Sequence, residues 1–143
     1  GGGGFTSGVA LALEAKAPGL KVRPVEPERF DDVARSLAAG EIRSNTGPEV
    51  GLCDAILTPS PSEMTFAVMH RLCGPGIVVT DTEVRAAMRV VFERLKVVAE
   101  PGGAVALAAA LFHGAALGDG PVIATISGGN VDRGLFAEVL ADG

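Results

Sequence analysis

The sequence predicts a single α/β domain built on a largely parallel sheet. Three observations lead there. Helix-periodic segments alternate with short apolar runs, which is the order of βαβ units. Two of the runs, 76–79 and 122–126, are uncharged and rich in β-branched residues, as suits strands covered on both faces. The chain has 143 residues with no internal repeat and no low-complexity linker, enough for one core and no more.

The apolar residues Val9, Ala10, Leu11, Leu13 and Ala17 predict a mostly buried helix over 7–17, stopped by Pro18-Gly19. Residues 21–25 are β-compatible, with Pro24 marking a strand end or edge. Helical spacing returns over 28–39 through Phe30, Val33, Ala34 and Leu37, and Gly40 supplies the stop. Gly47-Pro48, Gly51, Pro59 and Pro61 make residues 41–62 an irregular connection. Residues 63–72 read as a helix and 76–79 as a buried parallel strand. Thr80 and Glu83 have the spacing of a capping box, opening a helix predicted to reach Val98. Pro101 opens an Ala-rich helix running to about Gly114. Val122–Ile126 is the clearest predicted strand, Ser127-Gly-Gly-Asn130 the turn at its carboxyl end, and residues 132–140 the closing helix.

Composition excludes several classes of function. The net charge is −5 with the two signs interspersed, so no basic stripe follows a nucleic-acid backbone. With no Trp, no Tyr and six Phe, stacking platforms for bases are scarce as well. No apolar run reaches the ~20 residues that span a bilayer. Cys53 and Cys73 lack metal-ligand spacing and are too few for a disulfide scaffold, so they read as free, buried or half-buried thiols of a reducing, cytoplasmic compartment. The chain opens on Gly1 rather than an initiator methionine and reads as a piece of something longer.

Two glycine-rich turns carry the candidate chemistry. Gly1, Gly2, Gly3 and Gly4 run into a helix, and backbone N–H groups at a glycine-rich helix start suit an anion. An expression linker has the same appearance. Ser127 and Gly128 sit at the carboxyl end of a predicted strand, where α/β folds keep their ligands. Ser127 either donates to a ligand nitrogen or caps the turn, and Asn130 is equally compatible with a structural role.

Read in order, six segments resemble the serine/threonine dehydratase family of fold-type II pyridoxal-phosphate enzymes. They are Gly1-Gly-Gly-Gly-Phe-Thr-Ser-Gly-Val-Ala10, Val25-Glu-Pro27, Cys53-Asp-Ala55, Thr80-Asp-Thr-Glu83, Ala99-Glu-Pro-Gly-Gly-Ala104 and Ser127-Gly-Gly-Asn-Val131. The resemblance covers essentially the whole chain. It implies a three-layer α/β domain with a mostly parallel sheet, the large-domain portion of a tryptophan synthase β-like enzyme. It also implies that Gly1 to Gly4 bind the phosphate of pyridoxal 5'-phosphate through backbone N–H groups. Ser127, with Gly128 beside it, meets the pyridine nitrogen. Glu100 approaches the cofactor ring or the substrate, or else stabilises its own helix start.

Some members hold a divalent cation with a Glu, a carbonyl and an Asp at the spacing of Glu26, Phe30 and Asp32. Mg²⁺ or Ca²⁺ suits such oxygen ligands, and a surface acidic cluster at a helix start suits the same residues. The implied reaction is dehydration of L-threonine or L-serine to a 2-oxo acid and ammonia by a homo-oligomer. Racemisation, dehydration of a hydroxyaspartate and a non-catalytic module of the same fold are the alternatives. None of Lys16, Lys21 and Lys96 stands in the Ser-x-Lys setting of the family's Schiff-base lysine. The chain therefore corresponds to the C-terminal part of the catalytic region, residues 1–143, without the half that carries that lysine. No catalytic residue is expected in it, and alone it is expected to be inactive. Cys53-Asp54-Ala55 departs from the family's common Ala-Asp-Gly.

Overall fold

The computed structural model describes residues 1–142. In chain order it contains α1 (Gly4–Lys16), β1 (Val25–Pro27), α2 (Asp32–Ala39), α3 (Glu63–Leu72), β2 (Ile77–Val79), α4 (Asp81–Val90), α5 (Pro101–Phe112) and α6 (Arg133–Ala141). Single 3-10 turns stand at Asp54–Ile56 and Gly114–Ala116, and a π turn at Val91–Leu95 prolongs α4. The α/β class and the parallel sheet are those the sequence predicts.

β1 and β2 pair in parallel, with Val25 opposite Ile77, Glu26 opposite Val78 and Pro27 opposite Val79. A further parallel bridge joins Val22 to Cys73. Parallel neighbours need a long crossover, which here runs through α2, the irregular loop and α3. The core lies between the sheet, α4 and α5. Val84, Ala87, Met88 and Val91 follow the i, i+3, i+4, i+7 spacing and are fully buried against the small residues Ala104, Ala108 and Ala109 and against Val105. Small side chains on α5 let it lie close to both α4 and the sheet. On the other side α1 packs on α3, with Ala10, Ser7 and Met69 buried at that contact.

Local signals set several boundaries. Thr80 N–H donates to Glu83 Oε2 (2.7 Å) and Glu83 N–H to Thr80 Oγ1 (3.2 Å), the reciprocal box that the spacing predicts. Thr80→Ala is expected to cost about 1 kcal/mol, read as a lowered urea midpoint with an unchanged slope. A second box, Ser62 with Thr65, opens α3.

Five expectations are corrected, four of them at element boundaries. The first helix starts at Gly4, three residues early. The strand predicted over 21–25 forms at Val25–Pro27, where β2 supplies a partner. The second helix begins at Asp32 because Glu28 N–H is tied to Val79 O and Arg29 turns into the left-handed region at φ 70°. The helix predicted to Val98 stops where Lys96 adopts φ 58°.

The largest correction concerns Val122–Ile126. No backbone–backbone hydrogen bond engages this segment among the described residues, and Ile123 is 81% exposed. Its β-branched residues favour an extended chain, but a strand exists only against a partner, and none of the described residues provides one. Both cysteines are free, Cys53 buried and Cys73 half-buried, as expected.

Candidate functional site

Gly3 is the N-cap of α1 at φ 84°, a conformation that L side chains rarely adopt. No side chain caps the helix, and the first amide to pair is Ser7 N–H, with Gly3 O at 2.8 Å. Among the described residues nothing takes the N–H groups of Gly4, Phe5 and Thr6. Open space surrounds the positions a Cβ would occupy on Gly2 and Gly4. A glycine lining with unclaimed amides at the positive end of a 13-residue helix suits a phosphate group.

The loop is held from below by α3. Thr65 Oγ1 donates to Gly2 O (2.6 Å), Ser7 Oγ donates to Thr65 O (3.2 Å), and the Met69 methyl lies directly under Gly3.

The second turn is fastened to the start of α5. Glu100 N–H donates to Gly128 O (3.0 Å), and Ser127 N–H donates to Gly103 O (3.3 Å). Glu100 Oε2 accepts from Asn130 N–H (2.9 Å). The Ser127 side chain is exposed at the edge of this assembly. Ser127, Gly128 and Glu100 are thus brought together. Ile56 links them to the other turn. A Cβ on Gly1 would lie 3.8 Å from Ile56, and one on Gly102 would lie 3.4 Å from the same side chain.

Glu26 and Asp32 are 3% and 1% exposed, so the surface acidic cluster that their spacing also allowed is not formed. Glu26 Oε1 and Oε2 accept from Val33 N–H (3.1 Å) and Ala34 N–H (2.8 Å), capping the first turn of α2 from the neighbouring strand. Asp32 Oδ1 accepts from Asn45 Nδ2 (2.7 Å), while Asp32 Oδ2 is buried without a partner. Phe30 packs its ring into the core. Among the described residues no group of three His, Cys, Asp or Glu side chains is placed to hold a metal. This corner offers two carboxylates, Glu26 with both oxygens engaged by amides and Asp32 with one oxygen unpartnered.

Burial pushes the Glu26 carboxyl up to about 7, against the pull of the Ala34 amide, with Asp32 nearby adding to the rise. Burial raises the Asp32 carboxyl too, against the Asn45 hydrogen bond. A carboxyl whose folded pKa is raised binds protons more tightly folded than unfolded. Its contribution is complete below the ordinary value of 4.5 and is lost as pH rises through about 7. Stability is therefore expected to fall between about pH 5 and 8, and Glu26→Gln to flatten that slope, in urea titrations at the two pH values.

The remaining titratable candidates stand apart. Lys16, Lys21 and Lys96 are exposed, and Lys96 Nζ turns back to Glu93 O (2.9 Å). His70 stacks near Phe66, and His113 Nε2 lies 3.1 Å from Glu83 Oε1 at the far end of α5. Sequence reasoning missed the supports. Thr65 and Met69 signal only a helix, and nothing in the sequence ties Ile56 to the glycine turns or Asn45 to Asp32.

Residues 1–128 match the family described as pyridoxal-phosphate dependent enzyme. The chain belongs to that family. Serine racemase of Dictyostelium discoideum is 38% identical over 145 residues, covering 98% of this chain and 44% of that protein. L-threo-3-hydroxyaspartate ammonia-lyase of Saccharomyces cerevisiae is 36% identical over 141 residues, covering 99% of this chain and 43% of that protein. The crystal structure of the T.th. threonine deaminase superposes with a TM-score of 0.82 at 39% identity, over 92% of this chain and 48% of that one. The chain spans less than half the length of these relatives. The dehydratase resemblance and the fold-type II architecture that it implied are borne out, and the family's cofactor is pyridoxal phosphate.

Proposed function

We propose that the protein carrying this chain is a pyridoxal-phosphate-dependent ammonia-lyase that converts L-threonine or L-serine to a 2-oxo acid and ammonia. The observation that carries this reading is the pairing of an anion-ready glycine turn with a neutral hydroxyl at Ser127. Bound pyridoxal phosphate supplies an electron sink that makes the α-proton of an amino acid removable. Gly1 to Gly4 and the first turn of α1 hold its phosphate, with no Cβ in the way. Ser127, beside Gly128, hydrogen-bonds the ring nitrogen. A hydroxyl there does not stabilise a full positive charge as a carboxylate would, which keeps the sink weak and suits β-elimination.

The same proposal places the lysine that bonds the cofactor covalently outside this chain, and activity is accordingly expected of the full-length protein. Homo-oligomeric assembly and a cytoplasmic setting belong to the same proposal, with no nucleic-acid or membrane partner. Glu26, Asp32 and the Phe30 carbonyl are proposed to take Mg²⁺ or Ca²⁺. The unpartnered Asp32 Oδ2 is the donor with most to gain from such a cation.

A second reading is favoured by the relatives themselves, among which serine racemase and a hydroxyaspartate ammonia-lyase match as well as the deaminase does. Assay of the full-length protein with L-threonine, L-serine and threo-3-hydroxyaspartate separates the readings. Release of 2-oxobutyrate or pyruvate is expected. D-serine as main product, or turnover of hydroxyaspartate alone, replaces the first reading by the second. Absence of cofactor binding leaves a non-catalytic module. Ser127→Ala is expected to lower kcat about tenfold, the worth of one lost hydrogen bond of ~1.4 kcal/mol.

A further inference from the structure

Glu100 is the N-cap residue of α5, yet its side chain makes no cap to that helix. The carboxylate crosses to the 127–130 turn instead. Oε2 receives Asn130 N–H at 2.9 Å, and Oε1 fills the place where a Cβ on Gly128 would stand. The glycines of the turn make this approach possible. A Cβ on Gly129 would meet Val98 O at 2.7 Å, and one on Gly103 would meet Gly128 O at 2.5 Å.

Two main-chain bonds, Glu100 N–H to Gly128 O and Ser127 N–H to Gly103 O, close the same junction. Ser127's own side chain is exposed, so the turn's backbone sets the direction of its hydroxyl. Among the described residues Glu100 is the one side chain that hydrogen-bonds residues 127–130.

We propose that Glu100 is a positioning residue: its carboxylate clamps the Ser127–Asn130 turn through the Asn130 amide and thereby aims the Ser127 hydroxyl. This inference rests on the reading of Ser127 as the partner of the ring nitrogen. It assigns Glu100 neither to the ring itself nor to its helix dipole. A carboxylate accepting an amide makes a charge-assisted bond that resists fraying at an exposed turn.

The test uses the full-length protein carrying this chain and has two readouts. One is backbone amide exchange across residues 126–131 in the cofactor-free state. The other is the absorption spectrum after loading with pyridoxal phosphate. Glu100→Ala is expected to raise exchange at Asn130 about tenfold, as loss of ~1.4 kcal/mol implies, and to shift the spectrum in the direction that Ser127→Ala shifts it. Glu100→Gln keeps an acceptor at the same reach and is expected to restore both. Glu100→Asp, one methylene too short, is expected not to. If Glu100→Ala unfolds the protein, the ranking of Gln above Asp decides, and the reverse ranking overturns the proposal. Unchanged exchange and spectrum in Glu100→Ala, with an altered Ser127→Ala, sinks the clamp. A silent Ser127→Ala with raised exchange in Glu100→Ala sinks the cofactor reading and leaves the clamp standing.

Discussion

Gly103→Ala is expected to destabilise the protein by about 3 kcal/mol, the upper end of what overpacking costs. The added methyl would stand 2.5 Å from Gly128 O and 2.8 Å from Gly128 N. Both are main-chain atoms, so no rotamer change relieves the clash. Either α5 retreats from the sheet or the Ser127 turn moves outward, and the turn is the exposed and softer partner. In a chain of this length each kcal/mol moves Tm by roughly 3 °C, so thermal melts monitored by circular dichroism should show a drop on the order of 10 °C. Pyridoxal phosphate affinity should fall with it. Gly102→Ala is the control, since its methyl would meet only side chains, at 3.4 Å or more. Equal melts for the two variants would show that the turn gives way without cost.

Met69→Ala carries the second large effect. Met69 is fully buried between α1 and α3, and its methyl is the floor beneath Gly3. Truncation removes apolar burial and leaves a cavity, together costing about 2–5 kcal/mol. The cavity opens under the Gly1–Gly4 turn, so Gly3 loses the contact that defends its left-handed backbone. Met88→Ala is the comparison, because Met88 is equally buried but belongs to the core between α4 and α5. Both variants should lose similar stability by denaturant titration. Only Met69→Ala should also weaken binding of inorganic phosphate or pyridoxal phosphate beyond what its stability explains. Equal binding losses would deny Met69 any part in shaping the loop.

What the sequence made legible is what short-range chemistry decides. The Thr80 and Glu83 box, the apolar stripe of α4 and the stop at Gly40 each depend on residues within a turn or two of one another. The order of helices and apolar runs was enough for the α/β class. The motifs at both glycine turns were legible as a family pattern, but their supports were not. Glu100 meets Asn130 across 30 positions, and Thr65 meets Gly2 across 63. Such pairs follow from how helices stack, which no local spacing encodes. Glu26 shows the same limit. It reads as an acid near a helix start, and only the register of β1 against β2 reveals it as a buried cap for α2. Val122–Ile126 shows it in reverse, since local preference there was strong and the missing ingredient was a neighbour.

That segment has a further consequence. From Pro121 to Ile126 the chain carries no charge, is rich in β-branched residues, and leaves its amides and carbonyls free of other backbone among the described residues. Wherever it stays uncovered, it is a template on which a foreign strand can add, the property that makes open sheet edges adhesive. Pro121 and the glycines at 128 and 129 bound the sticky stretch on either side. Left unsatisfied, these residues would drive copies of the chain to aggregate.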